Sequence, residues 1–157
     1  MDELASSLLA TLKRSSAPVE TKLSLLNSLK SSIKHQRIPE SAQPATIECI
    51  RIAITTQTSS TLVTAGFATL THLIKRLGIQ DETDVLFTQR ANLPTLLLEK
   101  LGDVKEVHRQ AASQAFTDLW PLRPVEVEKI IREDAIQGNN VRAKEAGMGW
   151  VAMVSKG

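Results

Sequence analysis

The chain has 157 residues, enough for one domain with a continuous core. With 42% hydrophobic and 23% charged residues it has the composition of an ordinary globular protein, and its formal net charge of +2 is too small to imply a polyanionic partner by itself. Aromatic residues make up only 3% and Tyr is absent, which counts against single-stranded nucleic-acid and sugar sites, because both rely on stacking faces.

The N-terminal segment predicts two helices joined by a short link. Leucines recur at helical spacing over residues 4–12, and residues 15–18 (SSAP) interrupt them, with Pro18 suited to the first position of the next helix. The apolar face of that helix carries Val19, Leu23, Leu26, Leu29 and Ile33. The segment has no basic start, and no apolar run approaches the ~18 residues of a membrane span, so we expect neither a secretory signal nor a membrane partner.

A second predicted pair follows the stop near Arg37-Ile38-Pro39. Its first helix has Ile47, Ile50 and Ile54 on one face, and its link, residues 57–60, offers Ser59 or Ser60 as an N-cap. Its second helix carries Val63, Phe67, Leu70, Leu73, Ile74 and Leu77 and is predicted to end at Gly78. The single cysteine, Cys49, makes no internal disulfide, which fits a reducing compartment, and we interpret it as a small buried hydrophobe.

Residues 79–84 are predicted as a polar connector to a third pair. Leu93-Pro94 opens a helix that Gly102 closes, and Asp103 is predicted to cap the next one. The predicted apolar face of that sixth helix is Val104, Val107, Ala111, Ala115, Phe116 and Leu119. A fourth pair is predicted from Val127, Ile130, Ile131 and Ile136, then Val141, Ala146, Trp150 and Val154, with residues 138–140 as its link.

The spacing of these links indicates the fold class. They fall near positions 16, 59, 103 and 139, about 43, 44 and 36 residues apart, close to the ~40–47-residue period of HEAT and armadillo repeats. No segment shows sustained two-residue alternation, so we expect no strands. The sequence therefore predicts an all-α protein, an α-solenoid of about four HEAT-like hairpins.

Stacked hairpins place all their internal links along one edge. Three of the four second helices have Lys or Arg in their first two turns, although a cation at a helix N-terminus is unfavourable by about 0.3–1 kcal/mol. The residues on this predicted edge are Lys22, Ser59, Ser60, Lys105, Arg109, Asn139, Asn140, Arg142 and Lys144. Composition alone leaves two interpretations, a solvated edge or an edge that docks on an acidic surface.

Two stretches of the sequence carry a family resemblance. GDVKEVHRQAASQAF and NNVRAKEAGMGWVAM resemble the third and fourth HEAT units of a TOG-type domain, most closely the first such domain of the CLASP (cytoplasmic-linker-associated) proteins. Leu101-Gly102-Asp103, Lys105 and Arg109 match the third unit, and Asn140-Val141-Arg142-Ala143-Lys144-Glu145 match the fourth. VETKLSLLNSLKSSIKHQRIPESA looks like the opening of fungal members.

The resemblance implies a function and a site. TOG-type arrays bind αβ-tubulin through the edge formed by these links, so the resemblance implies a domain that stabilises microtubules and supports spindle assembly and kinetochore attachment. It implies action in the cytoplasm, on the spindle and in the nucleus. The partner-binding residues it implies are Lys105, Arg109, Asn140, Arg142 and Lys144. Asn140 would position the partner, and the cations would attract it.

Two departures from the family pattern shape the expectation. Tubulin-binding members usually carry a Trp in the first link, which here reads SSAP, so the partner is either tubulin or a kinetochore or spindle protein. A full array has about six units, so we expect residues 1–157 to be a single TOG-like domain from the N-terminal part of a longer protein. Trp150, Val151, Met153 and Val154 would then face a fifth unit or a partner.

Other functions find little support in the residues. His35, His72 and His108 lack metal-ligand spacing, and no nucleophile–base constellation or nucleotide-binding loop is present, so we expect no enzyme, metal or cofactor. The acidic residues around Glu126 and Glu133 are interpreted as a solvated face, and Trp120 as core. The remaining alternative is a generic HEAT scaffold for a non-cytoskeletal protein, and the oligomeric state stays open.

Overall fold

The computed structural model describes residues 1–56, 58–88, 91, 93–130 and 132. Within these residues all regular secondary structure is helical, which confirms the all-α prediction. The chain divides into two compact units, Met1–Ala91 and Asn92–Gly157.

The first unit contains two helical hairpins. They are α1 (Asp2–Lys13) with α2 (Val19–His35), and α3 (Gln43–Thr55) with α4 (Ser60–Gln80); short 3₁₀ helices cover Glu40–Ala42 and Thr83–Phe87. Helix α1 packs on α3 and α2 packs on α4, so each hairpin buries its apolar face on the other. Both predicted hairpins are confirmed.

Long-range hydrogen bonds fix the direction in which the hairpins stack. Ser41 Oγ donates to Asp2 Oδ1 at 2.9 Å, which brings the starts of α1 and α3 together. At the other layer, Arg76 Nε donates to the carbonyl of Ile33 at 2.9 Å and its Nη2 to that of Lys34 at 2.7 Å, which joins the ends of α2 and α4. Residues 14–18, between α1 and α2, and residues 56 and 58–59, between α3 and α4, therefore share the opposite edge of this unit.

The hairpin interface of the first unit is tightly packed. Cys49 is fully buried, and its Sγ donates to the carbonyl of Ala5 at 3.4 Å, as expected for a core residue. Helices α3 and α4 meet at Gly66, where a Cβ would lie 3.0 Å from Cβ of Ala53 and 3.1 Å from Cγ1 of Ile54. A glycine at this position permits the close approach of the two helices.

The helix ends of this unit confirm one prediction from the sequence and correct two others. Ser59 caps α4 as predicted, its side chain accepting from the backbone N–H of Leu62 at 3.2 Å. The predicted end at Gly78 is wrong, because α4 continues to Gln80 and Asp81 takes the left-handed position with φ 57°. Pro18 is the N-cap residue of α2, one position before the predicted place.

An ion pair and hydrogen bonds join the end of α4 and the connector after it to the segment between α2 and α3. Arg37 Nη2 lies 2.8 Å from Glu82 Oε1, and the backbone N–H of Ile38 donates to Gln80 Oε1 at 2.7 Å. Leu86 of the 3₁₀ helix is fully buried, so the connector contributes to the core. Hydrogen bonds from Gln80 and, more weakly, Gln43, together with nearby Arg37, lower the pKa of Glu82.

The second unit is described through three helices. They are α5 (Leu93–Leu101), α6 (Glu106–Leu119) and α7 (Pro124–Ile130), with α5 and α6 forming a hairpin. Leu93, Leu97, Phe116 and Val127 are completely buried in it. The other predicted features of this unit lie outside the described residues. They are Ile131, Ile136, the predicted eighth helix and Trp150.

The predicted apolar face of α6 was partly wrong. Val104 and Val107 are 80% and 60% exposed, whereas His108 and Ala112 are buried. The reason is register: α6 starts at Glu106, and its buried positions, beginning at His108, continue through Ala112, Ala115, Phe116 and Leu119 at helical spacing. Val104 precedes the helix and Val107 lies on its outer side.

Gly66 and Gly78 offer a matched test, because both lie in α4 and only Gly66 meets another helix. Gly66→Ala should lower the free energy of unfolding by about 1–2 kcal/mol, since the added methyl overpacks the contact with Ala53 and Ile54. Exposed Gly78→Ala should raise it by about 0.5–1 kcal/mol through helix propensity. Urea unfolding followed by circular dichroism measures both, and a stabilising Gly66→Ala would contradict the close packing.

The Cys49 thiol should be inert in the folded protein. Burial, and then the nearby Glu48 carboxylate, raise its pKa to about 12, so little thiolate exists near pH 8. We expect reaction with Ellman's reagent to be slower by at least about a hundredfold in buffer than in denaturing urea. Fast reaction of the native protein at pH 8 would show that the residue is accessible.

Candidate functional site

The link between α5 and α6 contains the described part of the predicted site. Backbone hydrogen bonds from Gly102 to Glu99 (3.0 Å) and from Asp103 to Lys100 (3.1 Å) close the end of α5. Asp103 Oδ1 then accepts from the backbone N–H of Lys105 at 2.8 Å, an Asx turn that leads into α6. The N-cap position of α6 is Lys105, so the prediction of Asp103 as N-cap was wrong by two residues.

Asp103 is surrounded by cationic and donor groups. Its Oδ2 lies 3.4 Å from Lys100 Nζ, and its Oδ1 lies 3.5 Å from Nδ1 of buried His108. Partial burial by itself would raise the pKa of Asp103, but the hydrogen bond from the Lys105 N–H and the charge of Lys100 outweigh it, and the pKa is lowered. The carboxylate therefore stays ionised and fixes the shape of the link.

Arg109 points back onto the same link. Its Nη1 donates to the carbonyl oxygens of Asp103 and Val104, both at 2.8 Å. A guanidinium with several fixed donors suits this double contact better than an ammonium would. Sequence reasoning expected Arg109 to contact a partner; the structure shows it half-buried and holding the main chain of the link.

Lys105 stands outside this framework with two apolar neighbours. Its side chain is exposed and has no ion-pair partner among the residues the structure describes. Val104 and Val107, on either side of it in sequence, are largely exposed. We call Val104, Lys105 and Val107 the turn surface. Sequence reasoning missed the two valines, and the signal that would have revealed them is the burial register that starts at His108.

The other predicted edge residues fall into three groups. In the first unit, Ser59 is engaged as a cap, Lys22 is half-buried and Ser60 is exposed, near the shared edge of the two links. The links of the third and fourth pairs belong to the second unit, so one row of all four links remains a prediction. Asn139 and the predicted binding residues Asn140, Arg142 and Lys144 lie outside the described residues.

The described residues offer neither a metal-binding cluster nor a membrane-spanning helix. Within the described ranges, no group of three or more His, Cys, Asp or Glu side chains could hold a metal ion. In the same part of the chain, none of the helices combines the length and apolar character needed to cross a bilayer.

Comparison with known proteins identifies relatives along the whole chain. The family model described as CLASP N terminal matches residues 1–157. Protein STU1 of Phaeosphaeria nodorum is 50% identical over 156 residues, which cover 99% of this chain and 13% of that protein. Protein stu1 of Aspergillus fumigatus is 46% identical over 155 residues, covering 99% and 12%. Protein stu-1 of Neurospora crassa is 41% identical over 150 residues, covering 96% and 13%.

These matches decide the family. The chain spans only 12–13% of the length of those relatives, and no solved structure gives a significant match. The CLASP family consists of microtubule-associated structural proteins, so the expectation that this chain is not an enzyme is confirmed by the family. The resemblance seen in the third and fourth units is confirmed as well: this chain belongs to the CLASP family and matches its N-terminal region.

Proposed function

We propose that this domain associates with microtubules and binds its partner through the edge formed by the links within its hairpins. The partner is tubulin or a kinetochore or spindle protein, and the domain supports spindle assembly and kinetochore attachment in the cytoplasm, on the spindle and in the nucleus. Family membership supports the microtubule association. The observation that carries the site is exposed Lys105 between two exposed valines on a link that Asp103 and Arg109 hold in shape.

The turn surface has the chemistry of a small docking site. Exposed valines occurring singly are ordinary, but Val104 on the link and Val107 in the first turn of α6 lie on either side of a cation in the sequence. On docking, the valines would lose water from apolar surface while Lys105 attracts an acidic group. Because hydrogen bonds already order the link, little conformational entropy remains to be lost on binding.

The first unit supplies a polar part of the proposed edge. Its first link exposes Arg14, Ser15 and Ser16, and it has no aromatic residue of the kind that dominates many interfaces. We infer that the second unit has its own apolar contact, provided by Val104 and Val107. On the same proposal, Asn140, Arg142 and Lys144 extend the basic part of the edge.

Lys105→Glu tests the proposed edge. It should weaken binding to tubulin, or to the spindle protein captured from mitotic lysate, by roughly tenfold, because it replaces attraction with repulsion. Lys129→Glu is the matched control, since Lys129 is an exposed residue of α7 in the same unit, and it should change binding less than about twofold. Binding can be followed by microscale thermophoresis or by quantitative pull-down.

The same assay separates the partners and can contradict the site. Wild-type binding to tubulin identifies the direct partner, whereas capture only from mitotic lysate assigns a spindle or kinetochore protein. Affinity should fall as ionic strength rises. If Lys105→Glu and the double change Arg142→Glu with Lys144→Glu leave both interactions intact, the edge is only a solvated border.

Asp103 should contribute to stability in a pH-dependent way. Its folded-state pKa lies below that of the unfolded chain, so its charge stabilises the fold above about pH 4 and this contribution is lost as the pH falls further. Asp103→Ala should lower the free energy of unfolding at pH 7 by about 1–2 kcal/mol. Asp103→Asn keeps an acceptor for the Lys105 N–H and should cost less.

Urea unfolding at pH 7, 5 and 3 measures this contribution. The gap between wild type and Asp103→Asn should be present at pH 7 and 5 and should be smaller at pH 3, because the carboxylate contribution is lost as the pH falls below about 4. A gap that persists unchanged at pH 3 would show that the carboxylate charge is not responsible.

A further inference from the structure

A second cationic surface lies on the first unit, across α2 and α4. Lys30 and Lys34 are one turn apart on α2, and His72 and Lys75 are about one turn apart on α4. The hydrogen bonds from Arg76 to the α2 carbonyls hold these two stretches side by side. Lys34 and Lys75 are exposed, and Lys30 and His72 are half-buried. We call these four residues the α2–α4 cluster.

No acidic side chain on either helix balances the cluster. Helix α4 contains no Asp or Glu, and the only one in α2 is Glu20, ten residues before Lys30 and roughly 15 Å away along the helix. In the part of the chain that the structure describes, none of the three lysines forms an ion pair. Glu82, beyond the end of α4, is paired with Arg37.

The effect of this concentration of charge is visible at His72. Partial burial, followed by the charges of Lys34, Lys30 and Lys75, lowers the pKa of His72. The positive charges of the three lysines therefore all act on the His72 side chain, and they repel one another in the folded state.

The fold itself does not require this arrangement. Cations in the last turn of a helix interact favourably with its dipole, which accounts for Lys34 and His35 at the end of α2. The effect fades beyond the last turn, so it does not account for Lys30, or for Lys75 five residues before the end of α4. Arg76, in contrast, has a structural role through its two carbonyl contacts.

We propose that the α2–α4 cluster binds an extended acidic polypeptide segment of a partner protein. Lys30 and Lys34 are about 6 Å apart along α2, close to the ~7 Å between alternate side chains of an extended chain. Lysines act as compact point charges and impose no fixed orientation on the acidic groups they attract, which suits the flexible carboxylates of an acidic segment. The described part of this unit exposes no aromatic residue for stacking bases, which argues against a nucleic acid.

This surface is separate from the edge proposed above. Within the first unit, residues 14–18 and residues 56 and 58–59 lie at one edge, whereas Lys34 and Lys75 lie towards the opposite ends of α2 and α4. The proposal therefore does not rest on the proposed function, and a variant of the turn surface can fail in one assay and behave normally in the other.

The test uses the whole chain and a fluorescein-labelled peptide of about twelve alternating Glu and Ser residues, followed by fluorescence anisotropy at low salt. A triple variant with Lys30→Gln, Lys34→Gln and Lys75→Gln should bind about tenfold more weakly, since three exposed charge pairs of ordinary strength combine to roughly one decade. The control triple, Lys13→Gln, Lys129→Gln and Arg132→Gln, removes the same charge from exposed positions outside both proposed surfaces and should bind within twofold of wild type.

A second measurement keeps the result independent of folding. Peptide addition should shift the imidazole NMR signals of His72 and leave those of buried His108 in place. The cluster triple should keep the wild-type circular dichroism and should have a urea midpoint at least as high as that of wild type, because removing like charges relieves repulsion.

Four results would overturn the proposal. Equal weakening by both triples would show that binding follows net charge alone. Unchanged affinity of the cluster triple, or no wild-type binding, would remove the site. Tighter binding of a single-stranded oligonucleotide or an anionic vesicle of matched charge, with the same dependence on the three lysines, would assign the surface to a different class of partner.

Discussion

The first unit depends on one constraint: a helical hairpin of this kind buries its apolar face only against another hairpin. Helix α1 covers α3 and α2 covers α4, and the close approach at Gly66 sets how near the α3 and α4 axes come. Polar contacts at two corners, Ser41 with Asp2 and Arg76 with the end of α2, fix the stacking direction. The positions of the links follow from this packing, because parallel stacking leaves both on one edge.

The cationic side chains divide into two roles that follow from their chemistry. Arg76 and Arg109 each donate two hydrogen bonds to main-chain carbonyls, one pair at the end of α2 and the other in the link before α6. A planar fork of donors can satisfy two carbonyls at once, which an ammonium on a flexible stem does less well. The lysines near them, Lys34 and Lys105, remain exposed and available to a partner. The arginines thus hold the main chain of these surfaces in shape, and the lysines give the surfaces their positive charge.

Periodicity predicted the helices well because it reports burial averaged over several turns. The two hairpins of the first unit and the α5–α6 hairpin were all anticipated, and so was the cap at Ser59, whose hydroxyl has a local partner. The wrong predictions concern the ends of helices and the register of their buried positions. Gly78 looked like a stop, but the left-handed position fell on Asp81. Nothing local distinguishes these two possibilities, since the choice depends on the packing of the connector that follows.

The site shows the same limit more clearly. Val104 and Val107 have the spacing of a buried face. Val104 nevertheless lies in the Asx turn before α6, and Val107 lies opposite the buried positions of α6 that begin at His108. The destination of Arg109 was equally hidden, because its acceptors are carbonyls that converge only once the link has closed. Family resemblance pointed to this link as the binding site but could not assign these structural roles. A residue that matches a binding motif can act by holding the main chain, and here its neighbours make the exposed contact.

The two proposed surfaces share a physical character that bears on how such a domain works. Each combines a rigid helical frame with a few lysines and little enclosed apolar area, so each contact alone is weak and sensitive to salt. Weak electrostatic contacts raise association rates more than they lengthen residence times. When a partner, or two linked partners, engages both surfaces, the second contact forms at a high effective concentration, and the affinities combine without any new interaction. Within each unit the helices hold the lysines at fixed positions, so the selectivity of each surface would come from the spacing of its charges as well as from their sign.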